Sequence, residues 1–155
     1  MRIRLATSQT AKLVAALDRA GTREIGGQMF GEQLAPSDFL VTELTVQARP
    51  GTLVRFIVDL IQAARDAVRF FDRTHHHYTR YNYIGEWHSH PSFAIEPSAT
   101  DVKTMQTLVS DPEFVGTFAV LMIVRLDTTN LIAEARLFDP NGTERNVSLE
   151  VGIER

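Results

Sequence analysis

Apolar residues near the N-terminus recur at helical spacing. Leu13, Val14 and Leu17 share a face, Ser8 stands where a cap belongs and Gly21 where a helix stops. The period then changes. "EIGGQMFGEQL" and "DFLVTELTV" read as two strands joined by the breaker-rich turn "APSD". Gly26, Gly27 and Gly31 are unusual inside a strand and point to a bulge, or to a close approach by another backbone or a ligand. From about Phe56 to His75 helical spacing returns, with Ile57, Ile61, Ala64, Val68 and Phe71 on one face and Asp59, Arg65, Asp66 and Arg69 between them.

"YNYIGEWHSH" predicts a strand ended by Pro91, and "PSATDVKTMQTLV" a helix with Val102, Met105 and Val109 inward. The unbroken apolar run "GTFAVLMIVRL" fits a strand buried on both faces. "NLIAEARLF", the turn "DPNG" and "VSLEV" alternate as an antiparallel edge should. The order helix, two strands, helix, strand, helix, three strands predicts an α/β fold: one mixed sheet sandwiched by helices. With 155 residues and no repeat or linker, a single domain over 1–155 is expected.

Composition narrows the function more than the fold. A formal charge of −3 gives no electrostatic reason to expect nucleic acid. No apolar run reaches membrane-spanning length and no secretory segment opens the chain, so a soluble cytoplasmic protein is expected. The absence of cysteine removes disulfides, thiolate metal sites and cysteine nucleophiles together.

What remains is oxygen and nitrogen chemistry, concentrated in "WHSHPSFAIEPSATD". On a strand His88 and His90 share one face, as two corners of a tetrahedral zinc require. Catalytic zinc usually takes three protein ligands and leaves the fourth position open. Without thiolates the third must be an oxygen donor, and Asp101, at a predicted helix start a short loop away, is the natural choice. Each half also has a structural explanation: histidines are ordinary at strand ends, and Ser98-x-x-Asp101 resembles a capping box. Together at this spacing they favour a metal. Hydrolysis further needs a carboxylate base beside the metal that is not a ligand. Glu24, Glu32, Glu43, Glu86 and Glu96 are candidates. Glu86 shares the histidines' face and Glu24 starts the glycine-marked strand, and the residues alone do not separate these two.

His88-Ser89-His90-Pro91, then Ser98 and Asp101, resemble the signature of the JAMM metalloproteases, also called MPN-plus or JAB domains. "EIGGQMFGE" resembles that family's glutamate strand. The resemblance spans the whole chain and implies the family's cytidine-deaminase-like sandwich. It implies one catalytic zinc ion held by His88, His90 and Asp101, Glu24 as general base, and Ser98 as donor to the oxyanion. The chain looks most like minimal bacterial members found beside activating- and conjugating-enzyme homologues, including anti-phage (CBASS) deconjugation systems. The implied activity is an isopeptidase or peptidase cutting the bond that joins the C-terminus of a ubiquitin-like or otherwise conjugated protein to its target. A chain this short has little room for the insertions with which larger relatives grip ubiquitin. The alternatives are a non-catalytic scaffold or a peptidase trimming a sulfur-carrier-like tail.

Other features read as structural. His75, His76 and His77 cannot converge from a regular helix and suit its C-terminal dipole. Trp87 points away from the histidines into the core, and Arg55, Arg65 and Arg69 line a solvated face.

Overall fold

The computed structural model describes residues 1–46 and 60–154. In chain order these form β1 (Arg2–Ala6), α1 (Thr7–Ala20), β2 (Gly26–Ala35), β3 (Asp38–Leu44), α2 (Leu60–Arg73), β4 (Tyr81–Ser89) and α3 (Ala99–Ser110). Then follow β5 (Ala119–Asp127), β6 (Asn130–Phe138), β7 (Glu144–Asn146) and β8 (Ser148–Ile153). All eight strands make one sheet, ordered β7-β6-β5-β4-β2-β3-β1-β8. It is mixed: β1 runs parallel to β3 and β8, β4 runs parallel to β5, and the other pairs are antiparallel.

Two strands depart from the expected order. The sequence pattern opens on a helix, but β1 precedes it. Ile3 and Leu5 are fully buried, while Arg2 and Arg4 reach Asp38 and Glu150 on the neighbouring strands. Five residues running straight into a helix offer too short an alternation to stand out. The chain therefore enters α1 from Ala6, and Ser8 lies inside the helix rather than capping it; Gly21, with φ of 60°, does end it.

The second departure concerns "VSLEV". It does not complete the antiparallel edge but forms β8, parallel to β1 at the opposite end of the sheet. Only Val147 separates β7 from β8. Its N–H donates to Ala135 O on β6, and the next N–H, of Ser148, donates to Met1 O. The chain thus passes from one edge of the sheet to the other within a single residue, which brings the β6 and β1 sides of the sheet close together.

β5 shows the two-sided burial its apolar run predicts. Val120, Met122 and Val124 join the core under α1, while Ala119, Leu121 and Ile123 pack with Met105 and Val109 of α3. The apolar stripe of α2 lies elsewhere than the spacing suggests. Ala64 and Val68 are exposed, and Phe70, outside the expected stripe, is buried and stacked on Phe30 at 4.9 Å. Aromatic area outweighs the aliphatic positions in choosing the buried face. The helix ends at Arg73, and Ile57 of the expected stripe lies outside the described residues.

One irregularity sets the phase of the functional strand. Met29 pairs with Gly85 and Phe30 with Tyr83, leaving Ile84 as the extra residue of a bulge. The bulge lets Ile84 and Trp87 both enter the α1 core, and it turns Glu86 and His88 toward α3. Gly85 is required there: its φ is 154°, and a Cβ would lie 1.9 Å from Val120 O. Gly85→Ala should destabilise by about 2–4 kcal/mol, because β5 must move away. An unfolding free energy within about 0.5 kcal/mol of the parent in denaturant titration, the range of an ordinary surface change, would contradict this account of the bulge.

Candidate metal centre

β4 and β5 run parallel, so their C-terminal ends open on the same side of the sheet, where α/β proteins commonly bind ligands. His88 pairs with Ile123, and the ladder continues one residue past β4, His90 N–H donating to Val124 O at 2.9 Å. Both imidazoles are therefore held by backbone on the α3 side of the strand, with their Nε2 atoms 3.0 Å apart. The chain then loops through Pro91–Pro97 and returns as α3.

The start of α3 is a complete capping box. Ser98 Oγ accepts from Asp101 N–H at 3.2 Å, and Asp101 Oδ2 accepts from Ser98 N–H at 2.7 Å. The same Oδ2 lies 3.6 Å from His88 Nε2 and 3.8 Å from His90 Nε2. Cap and ligand are thus one arrangement: capping fixes the carboxylate rotamer that faces the histidines.

The donor set suits zinc. Metal–nitrogen bonds of about 2.0–2.1 Å at tetrahedral angles place ligand atoms about 3.3 Å apart, and all three ligand atoms here lie within 4.8 Å of one another. His90 Nδ1 is 2.7 Å from Ala94 O, a contact it can make only as donor, which leaves Nε2 as the lone-pair atom in the neutral ring. Burial works to raise the Asp101 pKa, but hydrogen bonds from His88 and Ser98 outweigh it and hold the carboxyl well below its usual range. An anionic oxygen and a lone-pair nitrogen converging on one point match the charge and ligand type of a divalent cation.

These three residues line a cleft of about 850 Å³ together with Glu24, Glu86, Ser98 and Glu96. Glu24 is half-buried and lies in the loop just before β2 rather than within the strand. A reciprocal clamp brings it there: Ser89 N–H donates to Ile25 O at 2.8 Å, and Ile25 N–H donates to Ser89 Oγ at 3.0 Å. The central residue of His-Ser-His thus ties the histidine strand to the residue beside Glu24.

Glu86 also faces the cleft, and burial raises its pKa to about 7 against the opposing pull of His88. Location alone therefore keeps both Glu24 and Glu86 as candidate bases. Glu32 and Glu43 are elsewhere, paired with Arg80 and Arg73. The histidine triplet is also remote from the cleft. His75 and His76 adopt positive φ just past α2, and His76 pairs with Asp72. Trp87 is buried and donates to Thr45 O at 2.9 Å. Arg69 is exposed beside Asp66, and Arg55 lies outside the described residues.

Sequence reasoning missed the supports of the site. Ala94 contributes only a backbone carbonyl, which leaves no side-chain signal. Arg125 donates to Phe93 O at 3.0 Å; as the sole cation in an apolar strand, it was a readable clue. Among the described residues no helix is long and apolar enough to cross a membrane.

Residues 7–137 match the family model for prokaryotic homologs of the JAB domain. The fold is similar to the solution structure of protein DSY2949 from Desulfitobacterium hafniense, with a TM-score of 0.69 and 18% identity, covering 99% of this chain and 94% of that one. A search of curated proteins returns no significant match.

Proposed function

The chain belongs to the family of prokaryotic homologs of the JAB domain, and from that premise we propose that it is a zinc-dependent peptidase of the JAMM type. Its substrate would be the amide bond joining the C-terminus of a ubiquitin-like or otherwise conjugated protein to its target. The observation that carries this reading is the convergence of His88, His90 and Asp101 in a cleft that also holds carboxylates outside the ligand set. A purely structural metal site would have no use for Glu24 beside an open cleft.

His88, His90 and Asp101 would hold one zinc. When bound, the ion supplies a Lewis acid that acidifies water toward pKa 7 and polarises a carbonyl. Glu24 takes a proton from the attacking water and returns it to the departing amine as the C–N bond breaks. Ser98 is exposed, and although its oxygen accepts from Asp101 N–H its O–H remains a donor. That donor would stabilise the oxyanion as the carbonyl becomes tetrahedral. The capping box and the His90–Ala94 contact keep these groups in place without reorganisation during the reaction. Activating- and conjugating-enzyme homologues in a cytoplasmic, anti-phage conjugation pathway would be the functional partners.

Purified protein should contain about one zinc per chain. Cleavage of a ubiquitin-like fusion should stop on removal of zinc by a chelator and return when zinc is restored. Full zinc occupancy with no cleavage of any conjugate would favour a scaffold role, which this family also includes.

A further inference from the structure

One side chain at the cleft is unexplained by the chemistry above. Phe93 is 58% exposed although it lines the cleft beside the ligands, its ring near-perpendicular to that of His90 with centroids 6.4 Å apart. It does not sit on a loose loop. Its own carbonyl accepts from Arg125, at the end of β5, and the next carbonyl, of Ala94, accepts from His90 Nδ1. Two consecutive backbone anchors hold the main chain at Phe93 beside His90.

The cleft lining also includes the buried apolar side chains Met105 and Leu121. Among the described residues Glu24, Glu86, Glu96 and Asp101 line the cleft, and no lysine or arginine does. An exposed aromatic ring beside apolar lining favours an apolar side chain by removing its surface from water. A carboxylate pressed against that apolar surface would lose its hydration without gaining a partner there.

Resting on the peptidase reading, we propose that Phe93 is a specificity-determining residue, selecting peptide segments that carry an apolar side chain beside the scissile bond and rejecting acidic ones there. The spacing limits how far away that side chain can be. Alternate side chains on one face of an extended chain repeat every ~6.6–6.8 Å, close to the 6.4 Å between the Phe93 and His90 rings. With the scissile carbonyl at the ligands, the selected residue lies within about two positions of it.

The test uses zinc-loaded full-length Glu24→Ala protein, which should bind substrate without cleaving it, and calorimetric titration with six-residue peptides. Each peptide is scanned with Leu, Ala or Asp at one position. At one position Leu should bind about 10-fold tighter than Ala, and Asp weaker than both. Adding Phe93→Ala should erase the Leu preference, and Phe93→Leu should restore most of it, with zinc content unchanged in each. The proposal is overturned if no position discriminates, if no peptide binds, if Phe93→Ala keeps the preference, or if it weakens all peptides equally. Cleavage by the parent protein is scored separately. Peptides bound selectively but never cleaved would overturn the peptidase reading while leaving the specificity role of Phe93 standing.

Discussion

Glu24→Ala should retain about one zinc per chain and lose roughly 10²–10⁴-fold in kcat, the usual contribution of a general base. Zinc is retained because the convergent atoms belong to His88, His90 and Asp101, and Glu24 is not among them. Hydrolysis is lost because water then has no carboxylate placed to take its proton and pass it to the leaving amine. The measurement pairs metal analysis with single-turnover cleavage of a ubiquitin-like fusion. A variant that cleaves as well as the parent would remove Glu24 from the mechanism and turn attention to Glu86, the other carboxylate facing the cleft from the histidine strand. Glu86→Gln is the matched control: it should keep both zinc and most activity if Glu24 is the base.

Asp101 should separate metal binding from folding. Its Oδ2 both caps α3 and faces the two Nε2 atoms, so Asp101→Ala should lose the metal and also cost about 1 kcal/mol of stability through the broken capping box. Asp101→Asn is more informative. Its amide oxygen can still accept from Ser98 N–H, but the charge that balances a divalent cation is gone. Stability should stay close to that of the parent. Zinc affinity should fall by more than the roughly 10–100-fold that changes outside the ligand set produce. Competitive titration against a chromophoric chelator reads the second quantity and thermal unfolding the first. Unchanged zinc affinity in the Asn variant would leave Asp101 as a helix cap only.

Much of this site was legible because its signals are local. His88 and His90 share a face through the two-residue period of a strand, and Ser98 and Asp101 meet through the first turn of a helix; both relations hold wherever the elements lie. Long-range choices were less legible. The stripe of α2 was misplaced because its spacing allows two faces, and Phe30, forty residues earlier in the chain, selects the one that buries Phe70. The last strand was misassigned because alternation reports that a strand is half-buried, not which neighbour it pairs with.

By itself, then, the sequence determined the types of the residues that converge, the shared strand face of the two histidines and the absence of thiolate chemistry, all consequences of residue identity and short-range geometry. Only the tertiary structure decided that the chain crosses from one edge of the sheet to the other through Val147. It alone showed that a bulge at Ile84 and Gly85 turns His88 toward α3. The meeting of Glu24 with ligands some sixty residues away depended on it too, through the clamp between Ser89 and Ile25. Those outcomes depend on which strands lie side by side, and strand pairing is set by the burial of the whole core rather than by any one segment.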